Sequence, residues 1–297
     1  MTVTSLWTVA SLFLLGQAAP AAAPGTEIRA FTATILDDKG GEVTDLSAHD
    51  VSVAENGVTR DVVSFRRDAR PLSVALLVDS SVGTTSVYRL NMVDAVTGFV
   101  SRLPDGARYA VWTTGDRPTK IVDFTEDREA AGRGLRMVAS QGGNYLLDAV
   151  AEASADLRKL LREGDRAAVV VLTATGPELS YRDRYRAAEE GEKSGAVFLA
   201  AQIDAAGADM EVRENMGYVL DRLATSTGGR HDTILSAMSA DGAMRRLSVA
   251  LRSAYRVVYA SVPGLKKRKL ALSVARPKTR VMIPAATERD PGAGTER

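Results

Sequence analysis

The chain has 297 residues, 45% apolar and 25% charged, a composition that suits a folded protein with one large domain and a smaller one. A total of 38 Lys and Arg against 37 Asp and Glu leaves a formal net charge of +1, so no overall field draws the protein to nucleic acid or to an acidic membrane. The absence of cysteine excludes disulfides, thiolate metal sites, a cysteine nucleophile and a lipidated amino-terminal Cys.

At the amino end, Leu6 to Leu15 is a short apolar segment followed by Ala18-Ala19-Pro20-Ala21-Ala22-Ala23, small residues of the kind that precede a cleavage site. Residues 1–23 therefore read as a secretory signal peptide, which implies a periplasmic or extracellular protein. Because the n-region has no Lys or Arg, an uncleaved anchor is the alternative. No later stretch is long and apolar enough to span a bilayer. Glu27 to Leu36 alternates polar and apolar residues and runs into the turn signal Asp37-Asp38-Lys39-Gly40-Gly41. Val51 to Glu55, Asn56-Gly57 and Val58 to Phe65 read as a β-hairpin, because Asn-Gly supplies the positive φ values of a tight type I′ turn. This β unit, 26–67, has roughly 40 residues and is too small to hold a core alone, so it must pack on something else.

From Pro71 the pattern changes. Leu72 to Asp79 is a nearly continuous aliphatic run, too short for a membrane span, and fits a central strand covered on both faces. It ends at Asp79-Ser80-Ser81, the carboxyl end of a strand, where open α/β sheets meet their ligands. Helical stretches end at Asp105-Gly106, Glu163-Gly164, Ser194-Gly195 and Gly228-Gly229, and a strand-like run follows each. Val87, Leu90, Val93, Val96 and Val100 keep helical spacing, as do Leu146, Leu147, Val150, Leu157 and Leu161. Residues 71–253 thus predict a doubly wound, mainly parallel α/β sheet of Rossmann-like layout, with Lys120 to Phe124 as an antiparallel edge strand. Tyr255 to Val262, the turn Pro263-Gly264 and Lys269 to Ala275 return to β structure. Residues 254–283 are expected to complete a split β unit, formed by both chain ends, into which the α/β domain is inserted. Residues 284–297, rich in Pro, Gly and charge, read as a disordered tail.

Four segments, in order, resemble the bacterial exported von Willebrand factor A-related proteins. They are Asp45-Leu46 with Asp50 to Gly57, Leu76 to Ser81, Leu223 to Arg230, and Leu251 to Tyr259. The resemblance implies a dinucleotide-binding-like α/β sandwich whose usual role is protein or ligand recognition rather than catalysis. Members of that family often hold Mg²⁺ through an Asp-x-Ser-x-Ser loop, a Thr from a second loop and an Asp from a third. Asp79 and Ser81 match that pattern. The second Ser is Gly83, the second-loop Thr is Asn144, and Ala174 followed by Thr175 stands where the third-loop Asp belongs. One carboxylate poorly offsets the dehydration of a dication, so the expectation is a degenerate adhesion site. No cofactor is implied, or at most Mg²⁺ held weakly by Asp79 and Ser81 with neutral oxygens from Asn144 and Thr175. A metal-dependent adhesion module is the alternative.

Other constellations are weaker. Ser80 or Ser81 with His49 or His231 invites a serine hydrolase, but the loop lacks the first glycine of a nucleophile elbow. Gly132-Arg133-Gly134 and Gly142-Gly143 lack the setting of a dinucleotide or Walker loop. Lys266, Lys267, Arg268 and Lys269 form the one concentrated basic patch. It reads as a solvated hairpin turn beside a guarded edge strand, or as a contact for an acidic partner or an anionic envelope surface. The expected function is exported, non-enzymatic protein recognition.

Overall fold

The fold is that of a computed structural model, which describes residues 26–84, 86–140, 142–162, 164–204 and 210–289. The segment read as a signal peptide lies outside the described residues, and among those described no helix is long and apolar enough to cross a membrane.

Strands β1 (Glu27–Asp37), β2 (Val51–Glu55), β3 (Val58–Arg60) and β4 (Val62–Arg67) come first. The α/β alternation follows: β5 (Leu72–Val78), α1 (Ser86–Ser101), β6 (Arg108–Thr113), β7 (Thr119–Thr125), α2 (Ala130–Met137), α3 (Leu146–Leu160), β8 (Arg166–Ala174) and α4 (Arg184–Glu192). It continues with β9 (Val197–Ile203), α5 (Met210–Thr227), β10 (Arg230–Ile234) and α6 (Ala240–Arg252). The chain ends in β11 (Ala254–Ser261), β12 (Leu270–Val274), β13 (Thr279–Met282) and β14 (Glu288–Arg289).

The central sheet has the order β10-β9-β8-β5-β6-β7, parallel except for the edge strand β7. Strand pleating explains the nearly continuous aliphatic run of β5. Leu72, Val74, Leu76 and Val78 face α1, α2 and α6, while Ala75 and Leu77 face α3, α4 and α5, so both faces are apolar. Gly106, Gly164, Gly195 and Gly228 all have φ between 69° and 90°, the left-handed conformation that releases a helix into the next strand. Helix α2 has little sequence signal because Gly132 and Gly134 lower helix propensity. Gly134 instead lets the helix lie against β7, since a Cβ there would stand 2.9 Å from Val122 Cγ2.

Strands from both ends of the chain build the second unit. One sheet runs β13-β1-β11-β4 with β14 also on β1, and a three-stranded sheet runs β12-β2-β3. Phe31, Ile35, Val53, Tyr255, Val257 and Tyr259 fill the space between them. The hairpin at Asn56-Gly57 forms with φ of 54° and 79°. The run Val58 to Phe65, expected as one strand, breaks at Asp61 so that β3 and β4 join different sheets. The expected turn at Pro263-Gly264 likewise does not make a hairpin, because β12 pairs with β2 rather than with β11. The tail expected to be disordered from Pro284 continues as structure to Arg289, with Arg29 and Ala30 of β1 pairing with Arg289 and Glu288. Residues 290–297 lie outside the described residues.

The two units meet at a buried charge cluster. Arg166, the first residue of β8, donates to the carbonyls of Asp68 at 2.8 Å and Leu251 at 2.9 Å, where the chain enters and leaves the α/β unit. Asp68 takes hydrogen bonds from Arg70 and Thr32 and lies 3.5 Å from Arg166 Nε. Burial alone would raise the Asp68 carboxyl, yet Arg70 and Arg166 outweigh it and hold it below the ordinary range. Its stabilising effect is therefore present above the unfolded value and fades as pH falls through the folded one. Asp68→Ala leaves two guanidiniums without their carboxylate, and urea unfolding at neutral pH is expected to show a loss of about 3 kcal/mol.

Candidate functional site

Strand β5 delivers Asp79 to the carboxyl end of the sheet, where the chain turns sharply. The Ser81 N–H donates back to Asp79 Oδ1 at 2.8 Å, and the Thr84 hydroxyl donates to the Ser81 carbonyl at 2.6 Å. The loop after β6 supplies Thr114 and Gly115, whose N–H donates to Ser80 Oγ at 3.0 Å. Position 115 has to be glycine, because a Cβ there would lie 2.5 Å from the Ser80 carbonyl oxygen. The loop before α3 supplies the fully buried Asn144, and the end of β8 supplies Thr173 and Ala174.

These loops converge on one atom. Asp79 Oδ2 accepts from Asn144 Nδ2 at 3.0 Å, Thr173 Oγ1 at 3.1 Å and the Ala174 N–H at 3.0 Å. The Thr114 hydroxyl donates to Asn144 Oδ1 at 2.6 Å, and Asn144 Nδ2 also reaches Thr173 Oγ1 at 2.9 Å. That network fixes the amide orientation, since a flipped Asn144 would press its carbonyl oxygen against the Asp79 carboxyl. Burial pushes the Asp79 carboxyl up, opposed by donors from Ser81, Ala174 and Thr173.

The residues singled out in the sequence divide accordingly. Asp79, Ser81 and Asn144 stand together and are buried, and Ala174 joins them through its backbone N–H rather than a side chain. Gly83 is exposed on the rim, with only Ser81 Oγ, at 3.5 Å, near the place of a Cβ. Thr175 turns away, its hydroxyl donating to the Ile203 carbonyl at 3.2 Å and accepting from Gln202 at 3.0 Å. This donor set does not fit a resident divalent cation. Mg²⁺ requires inward-pointing oxygens, whereas Asn144 turns N–H groups toward Asp79 and Oδ2 already accepts three bonds. Among the described residues no three His, Cys, Asp or Glu side chains stand close enough to share a metal.

The Ser-His arrangement does not assemble either. His231 lies at the amino end of β10, three strand spacings or roughly 14 Å across the sheet from β5, and its Nδ1 is 2.7 Å from Asp221. His49 belongs to the β unit. In the basic patch, Lys266, Lys267 and Lys269 are exposed, but Arg268 turns inward to Glu27 at 3.0 Å and the fully buried Glu55 at 3.2 Å.

Sequence reasoning missed the loop after β8, which pins the whole arrangement. The Asn144 N–H donates to the Pro177 carbonyl at 2.8 Å, and the Leu179 N–H donates to the Asn144 carbonyl at 2.7 Å. Glu178 accepts from the N–H groups of Leu146 at 3.2 Å and Ser180 at 3.0 Å, while Asp148 accepts from Tyr181 and Arg182. Two carboxylates thereby complement the first turn of α3. Burial pushes the Glu178 carboxyl up to about 7, against the opposing N–H donors. The loop tip leaves Leu179 and Tyr181 exposed.

The chain is a doubly wound, mainly parallel α/β sheet with an Asp-x-Ser turn at the end of its central strand. Residues 74–176 match the family model of the von Willebrand factor type A domain, so this stretch of the chain is similar to that family. Solved structures agree on the fold. A von Willebrand factor type A protein from Catenulispora acidiphila superposes with a TM-score of 0.53 at 11% identity, over 90% of this chain and 74% of that one. Proximal thread matrix protein 1 from the mussel byssus, in a form with a zinc-occupied MIDAS motif, gives 0.50 at 20% identity over 67% of this chain. A second crystal form of the mussel protein gives 0.51 at 13% identity over 63% of this chain. In both forms this chain spans 49% of the mussel protein. No curated protein matches the sequence.

Glu178 makes the site region sensitive to pH. Because its folded value lies above the 4.5 of a free glutamate, it favours the folded state below that pH, and the contribution is lost as pH rises through about 7. Glu178→Gln is expected to exceed the parent in stability at about pH 8 by about 1 kcal/mol, partial exposure limiting the effect, and to match it near pH 4. Urea unfolding at the two pH values checks this.

Proposed function

We propose that this protein is an exported, non-enzymatic recognition module that binds a protein partner through the carboxyl-end rim of its von Willebrand factor A domain, without a resident metal ion. The observation that carries the reading is the Asn144 amide on Asp79 Oδ2, which places an internal donor where a metal-dependent site needs a cation. With no cation to capture a partner's carboxylate, affinity has to come from the surrounding surface. The rim supports this: Val82 is 63% exposed, Tyr181 92%, Leu235 85% and Met238 82%. Tyrosine and apolar side chains of this kind furnish the anchors of protein interfaces.

Catalysis finds no support in the same geometry. Ser80 accepts a backbone N–H and is buried, and neither histidine is placed to take its proton. Export rests on the apolar and small-residue pattern of residues 1–23. An anionic surface is a poorer target, because each outward lysine near such a surface contributes about 1 kcal/mol, and Lys266, Lys267 and Lys269 together fall short of stable attachment.

A photo-crosslinking amino acid in place of Tyr181, in cells that produce the protein, tests the proposal. The expected result is a discrete protein adduct that persists in EDTA and is reduced at least tenfold by Val82→Arg. An adduct abolished by EDTA would point to cation-dependent adhesion, and no adduct at all would remove the rim from consideration.

A further inference from the structure

A cavity that the recognition site leaves unused lies at the other end of the central sheet. There the amino ends of β8 and β9 face β1, and a cavity of about 210 Å³ opens between the two units. Phe31, Val197, Leu199 and Leu251 give it apolar walls, and Pro284 to Thr287 pass over it on the way to β14. For scale, an apolar cavity of about 150 Å³ admits benzene. The space here is larger by roughly the volume of a second fused ring.

The charges in the wall decide what could enter. Arg70 and Arg166 are both engaged by Asp68, and Glu192 is held by Arg222 through two bonds of 2.9 and 3.0 Å. An anionic ligand would lose its hydration without meeting a free cation, because both guanidiniums are already paired, and that costs several kcal/mol. A neutral one meets no such penalty. Among the described residues two polar groups retain capacity: the buried Thr34 hydroxyl has no hydrogen-bond partner, and Asp165 accepts only the Arg162 N–H, at 2.9 Å.

The segment over the cavity is closely fitted yet lightly held. Gly228 has a φ of 73°, and a Cβ on it would lie 2.6 Å from Pro284 N, so only glycine lets the segment cross the end of α5. Once across, the Ala285 N–H donates to the Ser226 carbonyl at 2.8 Å, and Arg29 donates to Thr287 Oγ1 and its carbonyl at 2.7 and 2.9 Å. Ala285 and Ala286 are exposed. A molecule in the cavity would touch the α/β unit, the β unit and this segment at once, and would stabilise their present arrangement by mass action.

We infer that this cavity is a binding site for a small, largely apolar molecule, neutral rather than anionic, of about two fused rings with one hydrogen-bonding group, closed over by Pro284–Thr287. The site is separate from the carboxyl-end rim, so it stands or falls independently of the recognition surface.

Calorimetric titration of the full chain with 2-naphthol and indole, and with 2-naphthalenesulfonate as the charged counterpart, tests it. Saturable 1:1 binding of at least one neutral probe is expected, with the sulfonate at least tenfold weaker. Thr34→Val, which removes only the hydroxyl, should weaken 2-naphthol severalfold, and Thr34→Leu, which also takes up space, should weaken both neutral probes at least tenfold. Urea unfolding of each variant establishes that it folds. No saturable binding of either neutral probe, equal affinity for the sulfonate, or affinities unchanged in folded Thr34→Leu would each overturn the inference.

Discussion

A carboxyl group buried at the end of the central strand has to be satisfied by something, and here a side-chain amide does it. Asp79 loses its hydration on burial, a cost of several kcal/mol for an unpartnered charge. In a metal-dependent site the cation offsets that cost and stays open to a partner. In this chain Asn144, Thr173, Ala174 and Ser81 surround both carboxyl oxygens with donors. The loops of β5, β6, α3 and β8 are thereby tied to a common centre. The cluster that Asn144 anchors extends outward through Pro177 and Leu179 to the surface.

The same economy governs the opposite end of the sheet. Arg166 reaches the two places where the chain passes between units, and Asp68 balances it and Arg70 together. The β unit has its own buried anion, Glu55, held by Tyr259, Ser261, Arg60 and Arg268. Breaking any of these pairs would strand a buried charge, so the relative placement of the two units is specified by polar contacts as well as by apolar packing. That placement is what leaves a defined space beneath the sheet rather than a collapsed junction.

Much of this architecture was legible in the sequence because its signals are local. The run Leu72 to Val78, the glycines at 106, 164, 195 and 228, and Asn56-Gly57 each encode a backbone choice within a few residues. The departures of Gly83, Asn144 and Ala174 from the adhesion pattern were also readable. What Asn144 does instead was not, because its partners Thr114 and Thr173 lie 30 and 29 residues away. Arg268 could not be told from its lysine neighbours, since the buried Glu55 that draws it inward sits at the other end of the chain. The split at Asp61 and the ordering of Pro284 to Arg289 arise in the same way, from partners that only the folded chain brings near.

The central claim is that Asn144 occupies the role of a cation, and Asn144→Asp tests it most directly. The substitution keeps the shape but turns a donor into a second carboxylate facing Asp79. Thermal unfolding of parent and variant in EDTA and in excess Mg²⁺ or Mn²⁺ is the measurement. The account predicts a parent whose midpoint is the same in both media, and a variant that is destabilised in EDTA and partly restored by the cation. A parent that is itself stabilised by the cation, or a variant as stable as the parent in EDTA, would contradict it.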